Sequence, residues 1–210
     1  MLDRDREEEI DGDDEILQDI DGYRKILGAT LGTWSRAQRI GFIAGLAERW
    51  LGVYEKFAAE EGWGDVARLR ACLDAAWAHV QGRTVAPAEL SDYRAAVLTN
   101  TPDMDDFEAA WPALCACQIL DHALEACGKA DSEEAGKLAL KAALAVYEGA
   151  SEDEPDGDAT LDAKRDTWRQ RAVQEEIAAH FRLFQGVYWL PSATPAMVEA
   201  FRSNLRTGRA

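Results

Sequence analysis

Residues 35–64 read SRAQRIGFIAGLAERWLGVYEKFAAEEGWG, and this stretch decides the fold class. Ser35, with Gln38 three residues later, forms a capping box, which pairs two backbone amides at the start of a helix. Gly62 and Gly64 end that helix. Between them, apolar residues recur at intervals of three and four and form one wide face: Ile40, Ile43, Leu46, Ala47, Trp50, Leu51, Tyr54 and Phe57. The stretch therefore predicts a long amphipathic α-helix.

The same spacing of apolar residues recurs along the rest of the chain, and few stretches alternate with the period of two that β-strands show. We predict an all-α fold: a single compact multi-helix bundle of about eight helices, with an acidic N-terminal helix and an extra C-terminal helix. Asp65 is placed to cap the third helix. A fifth helix is predicted to begin near Asp105 and to end at Gly128. Thr194 followed by Pro195 marks the start of the last helix.

The predicted organisation has three parts, of which one is a compact domain. An acidic N-terminal extension covers residues 1–22, a helical domain covers 23–190, and a C-terminal helix and tail cover 191–210. A domain of about this length buries roughly 70% of the surface that its unfolded chain exposes. A substantial hydrophobic core is therefore expected.

Negative charge is concentrated in two segments. The first acidic segment, residues 1–22, holds 11 acidic and two basic residues, a net charge of −9. The second acidic segment, residues 151–166, holds 7 acidic and two basic residues, a net charge of −5. The two segments thus account for −14 of the formal net charge of −16. This charge disfavours nucleic acid as a ligand, because phosphates would be repelled, and it favours a basic protein.

Location and redox state follow from the apolar runs and the cysteines. No apolar run approaches the roughly 20 residues that span a bilayer, and the chain begins without the basic start and apolar run of a signal peptide. We expect a cytoplasmic protein with no membrane partner. Buried free thiols in a reducing compartment are the expected state of the four cysteines: Cys72, Cys115, Cys117 and Cys127.

A set of residues spread along the chain carries a family resemblance. Its members are Phe42 to Arg49, Tyr54, Phe57, Gly62, Gly64, Asp65, Trp77, Pro102, Asp105, Asp106, Phe107, Pro112 to Cys117, Val173, Gln174 and Glu175. This pattern resembles the YjaG-like family of bacterial proteins of unknown function over roughly residues 34 to 185. The resemblance implies a compact all-helical domain and implies no activity. The two acidic segments and the C-terminal helix depart from the pattern, so we look there for this member's own role.

Two charged residues, Glu48 and Arg49, interrupt an otherwise apolar helix. One hypothesis places them in a pocket with Asp65 or Asp106. The competing interpretation is an internal salt bridge that ties the second helix to a neighbour, since structural ion pairs also occur at such positions.

No residue set forms a catalytic signature. Cys72 with His79, and Cys115 with His122, are each seven residues apart and share a helix face. Seven residues also span about 10 Å of helix rise, so one ion cannot readily take both members of a pair. We therefore predict no catalytic residue, no metal and no cofactor.

Two tryptophans in predicted loops, Trp63 and Trp189, are candidate anchors for a protein partner. A packed loop is the competing interpretation for both. The acidic candidates for the same partner are Asp11, Asp13, Asp14, Glu15, Asp19, Asp21, Glu152, Asp153 and Glu154. The competing interpretation for these acids is a solvated surface or tail.

These features predict a non-enzymatic, acidic helical protein that binds a basic protein partner. The narrowest version is an immunity protein that neutralises a basic bacterial toxin, with acids that speed encounter and aromatics that hold the complex. Two alternatives stay open. One is a small-molecule enzyme or sensor with a pocket around Glu48 and Arg49, and the other is a self-associating structural bundle that forms homo-oligomers.

Overall fold

The computed structural model describes residues 20–107, 109–150 and 171–207. These ranges form α-helices joined by short loops, with a 3₁₀ turn at Leu190–Ser192 and no β-strand, so the all-α prediction is confirmed. The eight described helices are α1 Ile20–Thr33, α2 Arg36–Glu61, α3 Val66–Val80, α4 Pro87–Thr99, α5 Trp111–Gly128, α6 Ser132–Gly149, α7 Arg171–Tyr188 and α8 Pro195–Arg206.

Helix α2 is the central element, as the quoted stretch predicts. The Ser35 hydroxyl accepts a hydrogen bond from the Gln38 N–H (3.3 Å), and the Gln38 side chain accepts one from the Ser35 N–H (2.9 Å). At the other end Gly62 takes a φ of 64°, which closes the helix in the left-handed conformation that glycine adopts without strain. Helix α2 packs against α3, α5, α6, α7 and α8, so it carries the core.

Two other helix starts follow the sequence prediction. Asp65 accepts a hydrogen bond from the Arg68 N–H (2.9 Å) and caps α3, and Thr194 accepts one from the Met197 N–H (3.3 Å) and caps α8. The fifth helix differs, because α5 begins at Trp111 and not near Asp105. A proline in its first turn sets this start, since proline favours the first helical position.

The core is continuous and rich in aromatic rings. Trp34, Phe42 and Phe184 stack edge to face or tilted near the start of α2, with ring centroids 5.3 to 5.7 Å apart. The last helix joins this core through Val198 and Leu205, which are buried. No helix among the described residues is long and apolar enough to cross a membrane.

Candidate functional site

The carboxylate of Glu48 is the centre of the most extensive charged cluster in the described structure. It lies in the middle of α2 and is 1% exposed. Its Oε1 atom accepts hydrogen bonds from Arg70 Nη1 (2.7 Å) and Arg206 Nε (2.6 Å). Its Oε2 atom accepts from Trp77 Nε1 (2.8 Å) and Arg202 Nε (2.8 Å). We call these five residues the Glu48 cluster; it satisfies a buried carboxylate with four donors.

Helical spacing brings the donors to one point. Arg70 and Trp77 are two turns apart on α3, and Arg202 and Arg206 are one turn apart on α8, so each pair lies on one helix face. The Arg202 guanidinium also lies over the Trp77 ring, 5.6 Å from its centroid. Three helices, α2, α3 and α8, are therefore joined through one side chain.

Arg202 stays cationic inside this cluster. Burial by itself would lower the pKa of its guanidinium, but the hydrogen bonds that it donates to Asp74 and Glu48, together with the charges of these carboxylates, outweigh burial and raise that pKa. A buried ion pair is tolerated when its partners are close and its remaining hydrogen-bonding groups are satisfied. The Glu48 carboxylate meets that requirement, because each of its two oxygens accepts two hydrogen bonds, and this arrangement suits a role in holding helices together.

Arg49 belongs to a separate, partly buried group. Its Nη2 donates to Glu176 Oε1 (3.0 Å), and the Trp50 indole donates to Glu176 Oε2 (3.3 Å). Nearby on α7, His180 is fully buried and its Nδ1 pairs with the Tyr23 hydroxyl, while its Nε2 has no hydrogen-bond partner among the described residues. Burial, followed by the charge of Arg49, lowers the pKa of His180 to about 3. This histidine is therefore neutral at ordinary pH.

The four residues predicted to share a pocket do not come together. Glu48 and Arg49 point to different sides of α2, because successive helical residues are rotated by about 100°. Asp65 caps α3 at an exposed position, and Asp106 is exposed in the turn before α5. Within the described residues both Glu48 and Arg49 make ion pairs with residues of other helices. This is the internal salt bridge that the sequence analysis gave as the alternative to a pocket.

The predicted partner-binding residues separate into four groups. Trp189 is 62% exposed and stacks edge to face on Tyr188, which is 67% exposed. Trp63 is half-buried in a loop and packs on the rings of Phe57 and Phe107. Asp21 is exposed and pairs with Arg24 (3.6 Å). The other acids lie outside the described residues: Asp11, Asp13, Asp14, Glu15, Asp19, Glu152, Asp153 and Glu154.

A cleft that the sequence analysis did not anticipate opens between α3 and α8, above the Glu48 cluster. It has a volume of about 460 Å³, and we call it the α3–α8 cleft. Its lining is Asp74, Trp77, Ala78, Gln81, Arg83, Glu199, Arg202 and Arg206. The one available sequence signal was the pair of arginines four residues apart on the last helix.

One group of side chains has the composition of a metal site. Ligand atoms of Asp121, His122 and Glu125 lie within 4.8 Å of one another. Arg94, however, donates to both oxygens of Asp121 (2.7 and 2.8 Å) and to Glu125 (3.1 Å). A metal ion would therefore have to displace the Arg94 guanidinium. The four cysteines are buried and free, as expected.

The fold and the Glu48 cluster define an all-α bundle that is closed by its last helix. Over residues 29–210 the chain matches the family described as "Protein of unknown function (DUF416)", and it belongs to that family. The match includes α8, which therefore lies within the family region, whereas the sequence pattern placed it outside. The match confirms that the chain belongs to a family of unknown function; it does not test the YjaG-like assignment.

A solved structure shares the fold. The crystal structure of a DUF416 family protein from Shewanella baltica superposes with a TM-score of 0.69 at 19% identity, covering 85% of this chain and 92% of the other. At this identity the likeness shows the fold alone. No curated protein matches the chain significantly.

Proposed function

We propose that this protein is a non-enzymatic binding protein of the bacterial cytoplasm that captures a basic protein, within a YjaG-like branch of its family. An immunity protein that neutralises a basic toxin is the narrowest form of the proposal. The exposed pair Tyr188 and Trp189 carries it. These are the exposed aromatic side chains among the described residues, and aromatic anchors of this kind hold many protein interfaces.

The outer face of α7 leads directly to this pair. One row of its exposed residues recurs at intervals of three and four and leads to Trp189, directly after the helix: Arg171, Glu175, Ala178, Arg182 and Gln185. The opposite face is buried through Val173, Ile177 and Leu183. An 18-residue helix is about 27 Å long. A square patch of about 800 Å², the area that each partner of a standard interface buries, has sides of about the same length. One partner lying along α7 can therefore span this face.

The acidic segments join the body at the far end of that face. Arg39 donates to the Leu31 carbonyl (2.7 Å) and to the Ser132 hydroxyl (2.7 Å), so the end of α1 lies beside the start of α6. Helices α1 and α6 pack together, and we infer that they run in opposite directions. The start of α1, which residues 1–19 precede in the chain, then lies at the end of the body where α6 ends, and residues 151–166 follow α6 in the chain. Both acidic segments are thus attached to the body at one end, and their like charge favours a basic partner and speeds its association.

The test is affinity capture from a bacterial lysate, followed by kinetics with the captured partner. The baits are the full chain, Trp189→Ser, Leu98→Ser and a chain that lacks residues 1–19. Leu98 is the matched control because it is 76% exposed on α4. We expect one basic protein on the full chain and on Leu98→Ser, and a weakened complex with Trp189→Ser, by about 2 kcal/mol if Trp189 is an anchor.

The kinetics separate the two parts of the surface. Trp189→Ser should raise the dissociation rate, whereas loss of residues 1–19 should lower the association rate and flatten its dependence on salt. Equal retention on all four baits, or capture of no basic protein by the full chain, would contradict the proposal. Capture of a second copy of this chain would favour the self-associating alternative.

A further inference from the structure

We propose that the α3–α8 cleft binds a small organic anion through an oxyanion group, a carboxylate or a phosphate, with Arg83, Arg202 and Arg206 as donors. This site is separate from the α7 face, and the inference does not depend on the protein-binding proposal. The shared chemistry is the recognition of oxygen atoms by planar guanidinium groups, which match carboxylate and phosphate geometry.

The Glu48 cluster fixes the orientation of two of these arginines. Arg202 and Arg206 each direct their Nε atom inward to Glu48, at 2.8 and 2.6 Å. The terminal nitrogens of both residues therefore point away from Glu48, and both residues line the cleft. Among described residues the two terminal nitrogens of Arg206 have no hydrogen-bond partner. Of the two terminal nitrogens of Arg202, only Nη2 makes a hydrogen bond, which it donates to Asp74. Donors that are fixed in advance cost little entropy when a ligand binds.

Glu199 occupies the position that an incoming oxyanion would take. Its carboxylate lies 3.6 Å from Arg202 Nη1 and 3.8 Å from Arg206 Nη2. Both distances exceed those of a hydrogen bond, and the side chain is 60% exposed. This carboxylate is thus held only by charge, and a ligand that makes direct hydrogen bonds to the same nitrogens can replace it.

The remaining lining suits a ligand of modest size. Arg83 is exposed at the cleft and uses its Nη2 on Gln81 (2.9 Å), which leaves its Nε and Nη1 atoms without a partner in the described structure. Three arginines line the cleft with two carboxylates, Asp74 and Glu199, and the buried Glu48 behind them balances the remaining positive charge. Recognition of an oxyanion would therefore depend on the directed N–H donors and not on a net positive charge. A volume of about 460 Å³ accommodates a small metabolite.

The test follows ¹H–¹⁵N signals of the arginine Nε–H groups and the Trp77 indole during titration of the full chain at constant ionic strength. Inorganic phosphate and citrate are the two probes, titrated separately. We expect saturable shifts of the Arg202, Arg206 and Trp77 signals. Glu199→Gln should tighten binding and Arg83→Gln should weaken it, each by roughly fivefold, since an exposed charge pair is worth up to about 1 kcal/mol.

Matched variants control for the change in net charge. Lys56→Gln and Glu60→Gln alter an exposed pair on α2 by the same charges and should leave both affinities unchanged. Saturation by phosphate alone assigns a phosphate-bearing ligand, saturation by citrate alone a carboxylate, and saturation by both a general oxyanion site. The proposal would be overturned if neither phosphate nor citrate gave saturable shifts. It would also be overturned if Glu60→Gln and Glu199→Gln changed the affinity equally.

Discussion

Arg202 Nε donates a 2.8 Å hydrogen bond to Glu48 Oε2, which joins two residues 154 positions apart in the chain. Both side chains are removed from solvent, with 10% of the arginine and none of the glutamate exposed. A charge in such a place depends on its partners, because the loss of one leaves the other buried and unpaired. The contact therefore couples the last described helix to the centre of the bundle.

Replacing Glu48 should reveal this dependence. Glu48→Ala leaves Arg202 and Arg206 without their shared acceptor, so the free energy of unfolding should fall by about 3–5 kcal/mol. Urea denaturation followed by circular dichroism measures the change. Glu60→Ala, at an exposed position on the same helix, should shift stability by less than about 0.5 kcal/mol. Equal midpoints for the two variants would show that Glu48 does not hold the helices together.

The burial of His180 predicts how stability depends on pH. The pKa of His180 is about 3 in the folded protein, against about 6.5 in an unfolded chain. Between these values the unfolded chain binds a proton that the folded protein does not. The stabilisation is complete above pH 6.5, and it is lost by up to about 1.4 kcal/mol per unit as the pH falls toward 3. Burial also lowers the pKa values of His79 and His122, which adds to the trend.

His180→Phe isolates this effect. Between pH 7 and pH 5 the unfolding free energy of the variant should fall by about 2 kcal/mol less than that of the wild type. Tyr23→Phe is the control, because it removes the hydrogen bond to His180 and keeps the titrating ring. Parallel pH profiles for His180→Phe and the wild type would rule out this account.

Two glycines of α2 should respond oppositely to alanine. A Cβ at Gly45 would lie 2.7 Å from Leu183 Cδ1 and 3.2 Å from Cδ2, and Leu183 is buried between α2 and α7. Gly45→Ala should therefore cost about 1–3 kcal/mol through overpacking. A Cβ at Gly52 would have no neighbour within 4 Å apart from the adjoining residues and backbone of its own helix, so Gly52→Ala should stabilise the helix by about 0.5–1 kcal/mol. Thermal unfolding distinguishes the two, and similar melting temperatures would contradict the packing of α2 on α7.

The thiols should be unreactive in the folded protein. All four cysteines are buried, and burial raises the pKa of Cys72 to about 11 and those of Cys117 and Cys127 to about 12. Because the thiolate is the reactive form, Ellman's reagent should modify none of them rapidly before denaturation and all four afterwards. Ser203→Cys, at an exposed position on α8, should react at once and sets the reference rate. Rapid reaction of the native wild type would refute the predicted burial.

The fold follows from local signals in the sequence, whereas the Glu48 cluster does not. The Ser35 cap, the Asp65 cap and the Thr194 cap are each made within a few residues, so spacing alone predicts them. The start of α5 was misplaced because apolar spacing extends back to Phe107, whereas the helix begins only at Trp111.

The partners of Glu48 could not be predicted because they come from two other helices. Arg70 lies 22 positions away and Arg206 lies 158 positions away, and only the packing of α3 and α8 on α2 brings them together. The pocket hypothesis placed Glu48 on the same side as its neighbour Arg49, which the rotation of successive helical residues prevents. The exposure of Trp189 and the partial burial of Trp63 likewise depend on tertiary packing, because the sequence predicts a loop position for both and does not distinguish them.

The 154-residue separation between Glu48 and Arg202 also has a consequence for biosynthesis. A ribosome that adds about 5–20 residues per second needs roughly 8–30 s between these two codons. During that interval the nascent chain has made Glu48 but not the arginines of α8. The Glu48 carboxylate must then remain hydrated or rely on Arg70 and Trp77, the two donors that α3 supplies. We therefore expect the bundle to complete its packing only after α8 has left the exit tunnel.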